Sequence, residues 1–175
     1  NRLTVGKNKI GILGGSFDPA HKGHLVISRE AIKRFKLKKV IWAITKKNPF
    51  KKKSFISLEN RIKHCRKVIG TNNLIKVKFY ENIIKSNKTI NLINHILKNK
   101  KYEIYLIMGA DNLIKFHKWH KWESISQKCN IVVFDRYGFK KRSLNSITFK
   151  KLNDRNLKFI EFNKVNISSS QLRKI

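Results

Sequence analysis

Acidic residues are scarce in this chain: 10 Asp plus Glu stand against 41 Lys plus Arg, a net charge of +31 over 175 residues. No cluster of carboxylates is visible that would hold a bare divalent cation. Cysteine is scarcer still. Cys65 and Cys129 lie far apart and lack metal-type spacing, which excludes a disulfide framework and reads as two buried free thiols. Long apolar runs are missing too: none approaches the ~18–20 residues of a membrane span, and no charged-then-apolar leader precedes the first strand, so a cytoplasmic protein is expected. No internal repeat or low-complexity linker divides the chain, and 41% apolar composition supports one domain over 1–175. The first residue is Asn1 rather than Met, and no obvious final element precedes Ile175, so this domain is expected to be trimmed at both ends.

Aromatic residues are absent from the basic runs Lys51-Lys52-Lys53 and Lys100-Lys101, where a surface for single-stranded nucleic acid would need stacking platforms. The charge excess is mostly Lys, with Ile and Asn also heavy. Those three share A/T-rich codons, so genomic base bias accounts for the excess. No dedicated nucleic-acid partner is expected, only salt-sensitive, sequence-blind adhesion to polyanions.

Hydrophobic periodicity supplies the fold class. Ile10–Leu13 reads as a strand, about Gly23 to Phe35 as a helix and Val40–Ile44 as a strand, which together make a βαβ unit. A helix over Ser57–Ile69 follows, with Ser57 as its cap and Leu58, Ile62, Cys65 and Ile69 on one face. Leu74–Phe79, Ile104–Ile107 and Ile131–Phe134 read as further strands, and Thr89–Leu97 as a helix. Between Arg136 and Asn156 no clear period emerges. The alternation predicts an α/β protein with a Rossmann-like, doubly wound, mostly parallel sheet in a single domain, and ligands beyond the carboxyl ends of its strands.

Directly after the first strand stands Gly14-Gly15-Ser16-Phe17-Asp18-Pro19-Ala20-His21-Lys22-Gly23-His24-Leu25. Glycines allow a sharp turn and close approach to a ligand. Two histidines then meet the start of a helix, where free N–H groups and the helix dipole favour an anion such as phosphate. The spacing matches neither the dinucleotide fingerprint nor the Walker loop. Zinc is disfavoured because no third ligand lies near in sequence.

Two more segments carry candidate chemistry. In Gly109-Ala110-Asp111-Asn112-Leu113 and the following Phe116-His117-Lys118-Trp119-His120-Lys121-Trp122, Gly109 permits close backbone approach. Asp111 suits either a ribose diol or a helix cap, and Trp119 and Trp122 suit either a flat ligand or the core. Near the end, Ile167-Ser168-Ser169-Ser170-Gln171-Leu172-Arg173 offers hydroxyls at an expected helix start with Arg173 one turn on, a pattern for phosphate or for a plain serine cap. The loop from Lys46 to Phe55 is long and basic and carries Pro49, a candidate mobile segment beside the site.

As a unit, Gly-Gly-Ser-Phe-Asp-Pro-x-His-x-Gly-His resembles the signature of the nucleotidylyltransferase superfamily. The Gly-Ala-Asp-Asn-Leu…Phe-x-x-Trp-x-x-Trp run resembles that of bacterial nicotinate mononucleotide adenylyltransferases, and the serine segment resembles their Ile-Ser-Ser-Thr-x-Ile-Arg motif, with Ser170 and Leu172 in place of Thr and Ile. Asn48-Pro49-Phe50-Lys51 stands where that family has a Pro-Pro-His-Lys-like loop, and Asn87-Lys88-Thr89 where it has Ser-Tyr-Thr.

The resemblance implies transfer of AMP from ATP to nicotinate mononucleotide, with direct attack of the acceptor phosphate and no covalent enzyme intermediate. It implies His21, His24 and Arg173 as catalytic residues. Gly14, Gly15, Ser16, Phe17, Lys51, Gly109, Asp111, Ser169 and Ser170 would join them in holding ATP. Thr89, Trp119, His120 and Arg136 would hold the acceptor, Thr89 through its backbone at the nicotinate carboxylate and Trp119 by stacking on the pyridine ring. Mg²⁺ would arrive with ATP, and no protein metal site is implied. Rivals keep the chemistry and change the acceptor to phosphopantetheine, nicotinamide mononucleotide or glycerol phosphate, since all share the first motif. The Trp-x-x-Trp segment favours a pyridine acceptor. A binding module without catalysis is opposed by the retention of both histidines and Arg173. Oligomeric state leaves no signal in the sequence.

Overall fold

A computed structural model describes residues 6–46, 56–135, 139–152 and 155–161. Lys51, Arg136, Ser169, Ser170 and Arg173, and with them the expected C-terminal helix start, lie outside the described residues.

The chain alternates strand and helix as its periodicity predicts. It runs β1 (Asn8–Gly15), α1 (Lys22–Phe35), β2 (Lys39–Ile44), α2 (Leu58–Ile69), β3 (Ile75–Lys78), α3 (Glu81–Ile84), α4 (Thr89–Leu97) and β4 (Tyr102–Gly109). There follow α5 (Ala110–Lys115), a single 3₁₀ turn (Phe116–Lys118), α6 (Trp122–Lys128), β5 (Cys129–Asp135), α7 (Lys140–Leu144), α8 (Ile147–Leu152) and β6 (Leu157–Glu161). The stretch after Arg136 without a clear period contains α7 and α8, of 5 and 6 residues. Helices that short present too few turns to develop a stripe of period 3.6.

Among the described residues all five strand pairings are parallel, in the order β3-β2-β1-β4-β5-β6. This is the doubly wound order, in which the direction of strand addition reverses between β1 and β4 and opens a crevice at their carboxyl ends. Strand residues divide by parity between two cores. Ile10, Ile12, Ile41, Ala43, Ile104, Leu106 and Met108 pack with Ile90, Ile93 and Ile96 of α4, Leu113 of α5 and Ile125 of α6. The alternate positions, Leu13, Val40, Trp42, Ile44 and Ile107, pack with Ile27 and Ala31 of α1 and Cys65 and Ile69 of α2. A sheet buried on both faces needs apolar residues at successive positions, which is why β2 reads Val-Ile-Trp-Ala-Ile without polar interruption. Cys65 and Cys129 lie in opposite cores, and burial pushes each thiol up to about 12, leaving both protonated and unreactive at neutral pH.

Helix ends follow local rules. Ser57 caps α2 by accepting the N–H of Asn60 at 3.2 Å. Among the described residues, no helix is long and apolar enough to cross a membrane.

Candidate active site

A cavity of about 1060 Å³ opens at the carboxyl ends of β1 and β4, at the point where the strand order reverses. Gly14, Gly15, Ser16, Phe17, His21 and His24 line one side; Thr89, Leu92, Trp119 and His120 line the cavity as well. Its lining carries Lys88, Lys115, Lys118 and three histidines against Asp18 and Glu81, which suits anionic ligands. Glu81 is already engaged, accepting the backbone N–H of Lys46 at 3.1 Å.

His21 is the N-cap of α1, and its Nδ1 accepts the N–H of Gly23 at 3.1 Å. His24, at the third helical position, returns the exchange: its Nδ1 accepts the N–H of His21, also at 3.1 Å. The two imidazoles thus build a capping box, a task usually given to Ser and Glu. An Nδ1 that accepts a hydrogen bond leaves the ring proton on Nε2. Each ring therefore carries its proton on Nε2, and the two ring centroids are 4.1 Å apart at the mouth of the helix dipole.

Behind His24 lies an aromatic stack. Phe17 stacks on Trp42 at 5.0 Å and tilts against His24 at 4.7 Å. Trp42 is fully buried, and its indole N–H donates to Ser28 Oγ at 2.8 Å; that hydroxyl in turn donates to the carbonyl of His24 at 2.7 Å. The sharp turn is made here and not at the glycines, since Phe17 has φ of 49° while Gly14 and Gly15 continue β1. A buried ring pinned on Trp42 holds a backbone conformation that a non-glycine residue rarely adopts. What the glycines provide is room: a Cβ on Gly14 or Gly15 would meet no protein atom closer than 3.7 Å, on backbone that borders the cavity.

Trp119 and Trp122 both pack against the core; Trp119 also lines the cavity, in edge-to-face contact with Phe116 at 5.0 Å, whereas Trp122 carries Lys151 Nζ over its ring at 5.4 Å. Gly109 and Asp111 stand at the end of β4 beside the cavity lining rather than in it; Asn112 and Lys115 of α5 are the residues that line it. Asp111 is not the helix cap, which is Gly109, but a first-turn residue. Its carboxylate folds back so closely that a Cβ on Gly109 would sit 2.6 Å from Oδ1. Thr89 opens α4, whose N-terminus has no side-chain cap, and Lys88, Thr89 and Leu92 line the cavity. Tyr80 also lines the cavity; burial, and then Tyr102, raise its phenol above the ordinary value, which keeps it a protonated donor.

Sequence reasoning missed Trp42, Ser28 and Arg61. Arg61 carried a signal, because 58, 61, 65 and 69 follow the 3-4-4 spacing of a buried face on which an arginine needs partners.

Residues 12–175 match the cytidylyltransferase-like family. A Pelagibacter ubique (strain HTCC1062) protein described as a "Probable nicotinate-nucleotide adenylyltransferase" is 65% identical over 175 residues, covering 100% of this chain and 97% of that protein. The chain belongs to the nicotinate-nucleotide adenylyltransferase family. A second member, from Agrobacterium fabrum (strain C58 / ATCC 33970) and described in the same words, is 38% identical over 131 residues, covering 74% of this chain and 70% of its own length. Among solved structures, the Plasmodium falciparum nicotinic acid mononucleotide adenylyltransferase complexed with NaAD superposes with a TM-score of 0.74 at 22% identity, over 95% of this chain and 83% of that one. That likeness is one of fold.

Proposed function

We propose that the chain transfers AMP from ATP to nicotinate mononucleotide, yielding deamido-NAD and pyrophosphate, in the cytoplasm and without a dedicated nucleic-acid partner. The observation that carries this reading is the pairing, in one cavity, of a two-histidine helix N-terminus beside a glycine turn with the Thr89–Trp119 surface. The first suits a polyphosphate and the second a flat ring bearing a carboxylate. The acceptor's phosphate oxygen attacks the α-phosphorus of ATP in line; a new P–O–P bond forms as the bond to the bridging oxygen of pyrophosphate breaks. The acceptor phosphate is already ionised near neutral pH, so no general base is required. The protein's work is placement of two anions and stabilisation of charge in the transition state.

In this scheme Gly14, Gly15, Ser16 and Phe17 shape the phosphate turn, and His21 and His24 donate from Nε2 to the triphosphate, His24 at the α-phosphate. The first N–H groups of α4, beginning with Thr89, receive the nicotinate carboxylate, Trp119 stacks on the pyridine, and His120 borders it. Gly109 and Asp111 take the adenosine ribose at the edge of the cavity. Lys51, Ser169, Ser170 and Arg173 would close over the β and γ phosphates, and Arg136 over the acceptor. Mg²⁺ enters as the MgATP substrate; among the described residues no group of His, Cys, Asp and Glu is arranged to hold a metal.

Pyrophosphate release from MgATP should proceed with nicotinate mononucleotide at least tenfold faster, by kcat/KM, than with its amide or with phosphopantetheine. Preference for either of the others refutes the acceptor pocket and keeps the transfer chemistry. Release with none of them refutes the activity.

Trp119→Ala should raise KM for the acceptor roughly tenfold, about 1.4 kcal/mol, with kcat little changed, as expected when a stacking surface binds ground and transition states alike. An unchanged KM in initial-rate kinetics would make Trp119 a packing residue only.

A further inference from the structure

Helix α2 grips the phosphate turn from behind. Arg61 is only 1% exposed, and its guanidinium donates to four main-chain carbonyls: Nε to Ile56 at 3.0 Å, Nη1 to Ser16 and to Thr45, both at 2.8 Å, and Nη2 to Lys46 at 2.6 Å. A buried cation is tolerated only where its donors are met, and here one planar fork meets carbonyls from three separate segments. One turn further along the same face, His64 Nε2 lies 3.0 Å from the carbonyl of Ala20. A carbonyl only accepts, so His64 donates. Both ends of the turn 16–20 are thereby tied to α2. The carbonyl of Gly15 is taken as well, by the N–H of Thr45 at 2.9 Å. In a turn that borders the cavity, the carbonyls of residues 15, 16 and 20 are thus all committed to protein donors.

That orientation matters for an anion. Carbonyl oxygens repel phosphate oxygens and N–H groups attract them, so a turn free to swing its carbonyls into the cavity would weaken both binding and transition-state stabilisation. We propose that Arg61 is a positioning residue of the transfer reaction: it keeps the carbonyl dipole of Ser16 off the triphosphate and sets the phosphate turn in register with the end of β2. The inference rests on the reading of this cavity as an ATP site. Lysine cannot substitute, because one ammonium with three donors cannot span four carbonyls in a planar array.

The test uses the full chain with Arg61→Lys and Arg61→Met, at a temperature where thermal melts show each variant fully folded. Arg61→Lys should lower kcat at least 30-fold and weaken ATP binding, measured by calorimetry without acceptor, about tenfold, with acceptor KM within threefold of wild type. A kcat and an ATP affinity within threefold of wild type, even with a lowered Tm, overturn the proposal, because a purely structural residue moves Tm alone. An acceptor KM that rises as much as the ATP dissociation constant also overturns it, since that signals general loosening. Should both variants fail to fold, His64→Leu removes the second tie of α2; it should reproduce the pattern at three- to tenfold, and unchanged kinetics sink the idea. Should the wild type bind ATP yet release no pyrophosphate with nicotinate mononucleotide, the acceptor reading fails, and the Arg61 inference is decided by ATP affinity alone.

Discussion

His24→Ala should leave a folded chain whose turnover is lower by two or more orders of magnitude, an oxyanion-type loss of about 3 kcal/mol. The reason lies in the division of labour between its two ring nitrogens. Nδ1 is committed to the N–H of His21 and Nε2 carries the proton, so the ring is a donor of fixed direction at the N-terminus of α1. Phe17 at 4.7 Å and His21 at 4.1 Å pack against the ring and restrain it from turning away. A preorganised donor stabilises developing charge without reorganising at the moment of reaction, which is why its loss falls on kcat. His24→Asn separates the two roles, because the Asn oxygen can still accept the His21 N–H while the distal donor is gone. Its kcat should fall nearly as far as that of the alanine variant, with a smaller loss of stability. Single-turnover rates for both variants, taken with circular dichroism to verify folding, are the check; a rate near wild type in either would remove His24 from the chemistry.

Trp42→Ala should cost about 3–5 kcal/mol of folding stability, the range for deleting a large aromatic from a close-packed core. The indole is fully buried between α1 and the sheet, stacks on Phe17 and satisfies its N–H on Ser28. Removing it leaves a void, frees Phe17 from its support at positive φ and unpairs the Ser28 hydroxyl from its donor. Trp42→Phe keeps most of the volume but loses the hydrogen bond and part of the packing, so a smaller cost of about 2–3 kcal/mol is expected. Urea denaturation separates the two. Equal midpoints for the alanine variant and wild type would mean that Trp42 supports nothing.

Residues adjacent in sequence were the legible ones. The run from Gly14 to His24 reads as an anion site because everything it needs, a turn, a helix start and two imidazoles, falls within one local segment. Strands β1 to β5 and helices α1, α2 and α4 were legible, whereas β6 and the helices α3, α6, α7 and α8 were not, those helices spanning about two turns or fewer and carrying no period. The bend illustrates a local misreading: glycine freedom suggested a turn at Gly14-Gly15, whereas the structure places it at Phe17, whose unusual φ is stabilised by a ring 25 residues away in sequence. Asp111 is similar, since whether an acidic residue near a helix start caps the helix or follows the cap depends on a two-residue shift that propensity does not resolve.

The sequence by itself determined the α/β alternation, the family signature and the two histidines, because period, turn chemistry and motif spacing are properties of contiguous residues. Only the tertiary structure decided that Thr89 and Trp119 share a cavity with those histidines, that Trp122 does not line it, and that Trp42, Arg61 and His64 hold the turn from Ser16 to Ala20, with Ser28 joining Trp42 to His24. Those relations join β2, α1 and α2 across many residues of chain. They exist because parallel strands, sharing one direction, bring all their carboxyl ends, and the loops that follow them, to a single edge of the sheet.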